Sequence, residues 1–190
     1  MSASKGPSPD FKGLLMKELP SLRAFGMSLC RHKDVADDLV QETLIKAWAA
    51  HDKFAEGTNI RAWLFTILRN TYFGDLRKRR REVADSDGAY AARLTTPADQ
   101  MAHMDFSDFQ AALAKLPADQ REVLILVGAS GFSYEEAAAI SGVAVGTVKS
   151  RVSRAREKLA ATLSIDSVGD IGPEPQVQAV LARVKNFAAR

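Results

Sequence analysis

Four side chains in the second half of the chain have the chemistry to read nucleic acid: Lys149, Ser150, Ser153 and Arg154. Short hydroxyls mixed with cations supply donors to phosphate oxygens and base edges, and an arginine fork can pair with both acceptors of a guanine. On a helix over Val145–Leu163 they lie opposite an apolar stripe of Val148, Val152, Ala155 and Leu159, spaced i, i+4, i+7 and i+11. Upstream, Ser133-Tyr134-Glu135-Glu136 forms a capping box that opens a shorter helix carrying Ala137, Ala138 and Ile140, and Ser141-Gly142 breaks it. Helix, glycine-bearing turn and basic helix make the helix-turn-helix pattern, whose second helix enters the DNA major groove.

A second basic cluster lies earlier. Between Gly57 and Arg81, the cations Arg61, Arg69, Arg77, Lys78, Arg79, Arg80 and Arg81 oppose only Asp75. The stretch that follows carries Glu82, Asp85, Asp87, Asp99, Asp105 and Asp108 against Arg93 alone. A net charge of +3 hides this segregation. Two basic patches across an acidic spacer suggest two contacts on one polyanion.

Composition narrows the class further. Hydrophobic residues make up 46% of 190, which argues for folded structure. Cys30 is the only cysteine, so a disulfide within the chain is excluded and a reducing cytoplasm is expected. His32, His51 and His103 show no metal-ligand spacing, and no metal or cofactor is expected. No stretch has the uninterrupted apolar length of a membrane span, and Met1–Asp10 lacks the apolar core of a signal peptide. With no nucleophile–base arrangement, metal cluster or phosphate-cradling glycine loop, an enzyme is not expected.

The elements that must position these groups all carry helical spacing. Asp10–Arg31 has Leu14, Leu15, Leu19, Leu22, Phe25 and Leu29, with Pro20 expected to divide or kink it. The next helix, about Asp34–Ala50, has a buried stripe of Ala36, Leu39, Val40, Thr43, Leu44 and Ala47, with Asp38, Gln41, Glu42 and Ile45 opposite. Ile45 is either a stray exposed apolar residue or the centre of a partner-binding face. A third helix, about Ile60–Arg81, is capped by Thr58 or Asn59 and has a core stripe of Ile60, Trp63, Leu64, Ile67, Leu68 and Thr71. Phe65, Tyr72, Phe73 and Leu76 broaden that surface, which fits burial on two sides; the alternative is that Tyr72 or Phe73 stacks on unpaired bases. A further unit opens near Phe106 with Phe109, Ala112, Leu113 and Leu116, followed by a helix with Val123, Leu124, Leu126 and Val127. The expected class is all-α: two small helical domains, residues 10–81 and 106–163, joined by a flexible acidic linker, residues 82–105. Residues 1–9 are expected to be disordered. Residues 164–190 form an extension in which Val177, Val180, Leu181, Val184 and Phe187 keep helical spacing.

Two blocks of sequence carry a family likeness. DDLVQETLIKAW, NIRAWLFTILRN and LRKRRR, followed by LPADQREVLIL and GFSYEEAAAISGVAVGTVKSRVSRAREKL, closely resemble extracytoplasmic-function sigma factors. GTNIRAWLFTILRNTYFGDLRKRRRE and LVGASGFSYEEAAAISGVAVGTVKSRV resemble the EcfG-type branch that serves the general stress response of alphaproteobacteria. The resemblance spans about residues 10–163. It implies that the first domain recognises and helps melt the −10 promoter element, the second reads the −35 element, and both bind core RNA polymerase. Carried over by position, Asp37, Asp38, Gln41, Glu42, Ile45 and Trp48 would dock on the polymerase clamp helices. Thr58 and Asn59 would receive a flipped base, while Arg61, Arg69, Asn70, Arg77, Lys78, Arg79 and Arg80 would contact the −10 element. Leu116–Val127 matches the helices that meet the polymerase flap. Gly146, Thr147, Lys149, Ser150, Arg151, Ser153 and Arg154 would face the −35 element, with Arg154 the base reader and Arg151 holding backbone. The implied partners are core polymerase, promoter DNA and a small NepR-type anti-sigma factor. Two other readings remain, a helix-turn-helix regulator independent of polymerase and a sigma-like adaptor that sequesters an anti-sigma factor. Both commonly carry a receiver or ligand domain with strands, and no strand pattern is visible.

Overall fold

The computed structural model describes residues 9–85 and 104–163, and every regular element among them is helical. The expected N-terminal disorder, most of the expected linker and the whole C-terminal extension lie outside the described residues.

Helix α1, Pro9–Cys30, runs unbroken through Pro20. A proline there cannot donate to the carbonyl of Met16. Both Met16 and Pro20 are exposed, so that carbonyl can turn to water and the helix continues. The expected division at Pro20 is therefore absent. Phe11, Leu15, Leu22, Phe25 and Leu29 form the inner face. Arg31, in the left-handed region at φ 63°, closes the helix through its N–H to the Met27 carbonyl at 2.9 Å.

Helix α2, Lys33–Ala49, buries Ala36, Leu39, Val40, Thr43 and Ala47 against α1, with Leu44 half-buried beside them. The buried Thr43 hydroxyl donates to the Leu39 carbonyl at 2.7 Å, so its burial leaves no orphan donor. A short 3-10 turn, His51–Lys53, leads to helix α3, Ile60–Asp85. Asn59 caps α3, its side-chain oxygen accepting from the Ala62 N–H at 3.1 Å, while the Thr58 hydroxyl donates to the Ala55 carbonyl at 2.7 Å. The helix extends a turn past Arg81 because Glu82-Val83-Ala84-Asp85 contains no breaker. Phe65 stacks on Phe25 with ring centroids 4.7 Å apart, and the Tyr72 hydroxyl donates to the Leu29 carbonyl at 3.0 Å. Burial on two sides explains the breadth of this helix's apolar surface.

Helices α4, Met104–Lys115, and α5, Ala118–Gly128, precede the helix-turn-helix of α6, Tyr134–Ser141, and α7, Val145–Leu163. Both bonds of the capping box form: Glu136 N–H donates to Ser133 Oγ at 3.0 Å and Ser133 N–H to Glu136 Oε2 at 2.9 Å. Gly142 closes α6 at φ 66°, a conformation that favours glycine. Val148, Val152, Ala155 and Leu159 are all buried. Leu159→Ala is expected to cost about 2–5 kcal/mol, the range for truncating a fully buried leucine, read as a lower urea midpoint with unchanged slope.

Seven consecutive residues of α5, Gln120–Leu126, are buried. Helix α5 packs on α6 and α7 within its own half and on α1 of the other, while α3 packs on α6. The buried residues of the two halves thereby join into one cluster.

Candidate nucleic-acid and partner surfaces

On α7, the stripe that packs inward fixes which side chains face out. Lys149, Ser153 and Arg154 are exposed and Ser150 is half-buried. The Ser150 hydroxyl donates to the Thr147 carbonyl at 3.0 Å, Arg154 Nη2 approaches Ser150 Oγ at 3.4 Å, and Ser153 Oγ donates to Glu157 at 3.0 Å. The Lys149 ammonium lies 5.8 Å from the centre of the Tyr134 ring, at the N-terminal end of α6. Gly146 and Thr147 occupy the first turn, where the helix dipole favours phosphate, while the Thr147 N–H donates to the Ala144 carbonyl at 2.9 Å. Arg151 is held apart: its Nε pairs with Asp119 of α5 at 3.1 Å.

The basic residues of α3 divide into two groups. Arg77, Lys78 and Arg79 are exposed toward its C-terminal end, as are Asn70 along the helix and Thr58 before it. The side chain of Arg80 lies outside the described residues. Asn59, Arg61 and Arg69 instead point at carboxylates. Arg69 Nε donates to Glu122 Oε1 of α5 at 2.8 Å while its guanidinium covers Phe73 at 4.8 Å. Arg61 Nε lies 3.6 Å from Glu18 of α1, and its guanidinium sits 5.5 Å from the Phe65 ring and 5.4 Å from the Phe132 ring. Asn59 Nδ2 donates to Glu136 Oε1 at 3.0 Å. Sequence reasoning missed Glu122, Glu136 and Phe132 as partners of these residues. The one available signal was Glu122 itself, an acid beside the apolar run Val123-Leu124-Ile125-Leu126.

Glu122 is 0% exposed. Burial raises its pKa above the ordinary 4.5, opposed by the charge and hydrogen bond of Arg69, by Ser141 and by Arg151. An acid that binds its proton more tightly when folded contributes most stability below its unfolded pKa, and loses that contribution as pH rises through the folded value. Replacing Glu122 with glutamine removes the titration. The stability of the wild-type chain relative to Glu122→Gln is therefore expected to fall from about pH 4.5 upward and then level off, measured by urea unfolding across that range.

A third surface is apolar. Ile45 is 62% exposed and Trp48 43%, with Met16 exposed beside them. Lys12, Leu15, Met16, Gln41, Leu44, Ile45, Trp48 and Ala49 line a groove of about 460 Å³ between α1 and α2. Around it, Asp38 and Gln41 are exposed, Asp37 pairs with Arg23 at 3.3 Å, and Glu42 with Lys46 at 2.7 Å. An apolar centre with a charged rim has the anatomy of a protein interface. The α1 wall of this groove was not anticipated from sequence, because its apolar positions continue the core stripe of the same helix.

Among the described residues there is no group of three or more His, Cys, Asp or Glu that could hold a metal ion, and no helix is long and apolar enough to cross a membrane. Residues 14–82 match the family Sigma-70 region 2 and residues 106–159 match Sigma-70, region 4. The chain is 60% identical over 167 residues to the ECF RNA polymerase sigma factor EcfG of Rhodopseudomonas palustris, spanning 88% of this chain and 92% of that protein. The chain belongs to the extracytoplasmic-function sigma factors. Among solved structures, this sigma factor is similar to RpoE of Bartonella quintana in complex with the anti-sigma factor NepR. The TM-score is 0.74 with 55% identity, over 84% of this chain and 100% of that one. It also resembles CnrH in complex with the cytosolic domain of CnrY, at TM-score 0.59 and 32% identity, over 83% of this chain and 89% of that one. Region 2 thus contains α1–α3, with the apolar groove and the basic end of α3, and region 4 contains the helix-turn-helix.

Proposed function

We propose that this sigma factor binds core RNA polymerase in the cytoplasm and directs initiation from promoters with −35 and −10 elements, chiefly those of general stress response genes. The observation that carries this reading is the presence of both promoter-reading regions in one chain, in a protein 60% identical to EcfG. The polymerase performs the chemistry, and the sigma factor supplies position. The groove centred on Ile45 and Trp48, with Asp37, Asp38, Gln41 and Glu42 at its rim, docks on the polymerase clamp. Lys149, Ser150, Ser153 and Arg154 read the −35 element, while Gly146, Thr147 and Arg151 hold its backbone. Thr58, Asn59, Arg61, Arg69, Asn70 and the cationic run Arg77–Arg80 engage the −10 element.

Regulation by a NepR-type anti-sigma factor follows from the likeness to the Bartonella complex. A small protein covering the same groove excludes the polymerase. The test is competition: the sigma factor co-elutes with core polymerase in gel filtration, and a NepR-type protein displaces it in proportion to its concentration. Simultaneous binding of both would overturn the regulatory half of this reading, and failure to bind core would overturn the whole.

A further inference from the structure

Several arginines of this chain meet an acid: Arg69 pairs with Glu122, Arg151 with Asp119, and Arg61 reaches Glu18. Arg121 of α5 is only 6% exposed and does not. The charged and titratable groups around it are Tyr72, Arg31 and Cys30, with no carboxylate among them. Its Nε is buried without a hydrogen-bond partner, and its Nη1 makes a long bond of 3.3 Å to the Ala114 carbonyl. A guanidinium stays protonated throughout the physiological range, so a buried one without a counter-charge is costly.

A second cation meets the same point. Arg31 Nη1 donates to the same Ala114 carbonyl at 3.4 Å, so two guanidiniums converge on one neutral oxygen. Arg31 is exposed and sits at φ 63°, a conformation that glycine or asparagine adopts with less strain. Arginine at this position brings a cation to the site against a backbone cost. The neighbouring acids do not offset the charge. Burial pushes the Cys30 thiol up to about 11, and it also raises the pKa of the Tyr72 hydroxyl, which donates to the Leu29 carbonyl at 3.0 Å. Both are neutral at pH 7.

We propose that Arg31 and Arg121 form a binding site for a small phosphate-bearing ligand, where the end of α1 meets α4 and α5. Two guanidinium forks facing only backbone carbonyls and neutral side chains suit phosphate, whose several oxygens and double charge occupy both forks at once. The exposed Arg31 opens the site to solvent, and the buried Arg121 gains the counter-charge that the chain does not supply. Neither arginine belongs to the surfaces assigned to promoter DNA or polymerase. A ligand held here ties the end of α1, in region 2, to α4 and α5 of region 4, and stabilises the chain in proportion to its concentration.

The test uses the full chain, with inorganic phosphate and pyrophosphate as probes and potassium chloride at matched ionic strength as the reference. Thermal unfolding of the wild type should shift upward and saturate with either probe but not with chloride, and calorimetric titration should give one site. Arg31→Asn, which suits the left-handed backbone, and Arg121→Met should each bind about tenfold more weakly or worse, the loss of one charge-assisted fork. Without phosphate, Arg121→Met should have a urea midpoint no lower than wild type, because it removes an uncompensated buried charge. A clearly lower midpoint would show that Arg121 has its partner within the protein and would overturn the site. Equal shifts with phosphate and chloride would overturn it as well, as would a saturable shift that survives Arg31→Asn but is lost in Lys149→Ala on α7. A short duplex without promoter elements distinguishes the source of the phosphate. It should bind wild type and Arg31→Asn alike; weaker binding by Arg31→Asn, with no binding of the free anions, would assign these arginines to DNA backbone and overturn a small-ligand site.

Discussion

Replacing Ile45 with glutamate is expected to weaken binding to core polymerase by about 30-fold or more, and to abolish transcription when the two are at matched low concentration. The size follows from interface physics: truncating a central anchor costs about 2 kcal/mol or more, and each 1.4 kcal/mol is a factor of ten. A carboxylate adds the cost of placing charge in the apolar centre of the groove beside Leu44 and Trp48. Ile45 is 62% exposed, so the fold loses little. The unfolding midpoint should stay within the range of ordinary surface substitutions. Surface plasmon resonance on immobilised core, paired with urea unfolding, reads both quantities. Full-strength binding by Ile45→Glu would remove the groove from the polymerase interface.

Arg154→Ala is expected to remove discrimination at one position of the −35 element. A bidentate arginine–guanine pair contributes about 1–3 kcal/mol of base selectivity, so preference for guanine there should fall by roughly 5- to 150-fold. The other −35 positions should keep theirs. Arg154 is exposed and among the described residues meets Ser150 at 3.4 Å, a long contact that does little to hold it from a base edge. Arg77→Ala provides the contrast. It should weaken binding to every promoter alike and lower the salt slope by about one, the signature of a lost phosphate contact. Binding of a −35 duplex library, sequenced before and after selection, distinguishes the two patterns.

The helix-turn-helix was legible in the sequence because its determinants are local. The capping box at Ser133 and Glu136, the left-handed glycine at 142 and the stripe from Val148 to Leu159 each act within one helix or turn. Propensity, pattern and cap agree there, and agreement across levels is what makes a segment readable. Pro20 shows a limit of local reasoning. A proline inside a helical pattern predicts a division or a kink, and the helix runs on undivided with Pro20 and Met16 on its exposed side, where the freed carbonyl can turn to solvent. The cationic run suggests an end for α3 near Arg81, whereas the helix runs to Asp85 and the first breakers in the sequence come at Ser86-Asp87-Gly88.

The joint between the halves was illegible for a different reason. Arg69 and Glu122 stand 53 residues apart, and Asn59 and Glu136 stand 77 apart. Nothing in either segment marks its partner, since an arginine on a basic helix reads as a DNA contact whether or not an acid meets it. Charge pattern identifies the kind of partner a residue can take; only tertiary packing says which one holds it.

The central claim is that this chain positions polymerase through two separate DNA elements. It is tested most directly by in vitro transcription with purified core polymerase on a library randomised across the −35 and −10 regions. The expected transcripts come from templates that share a defined −35 sequence and a defined −10 sequence at fixed spacing, and Arg154→Ala relaxes the first while leaving the second intact. Transcription no greater than that of core alone would contradict it, as would initiation indifferent to the −35 region.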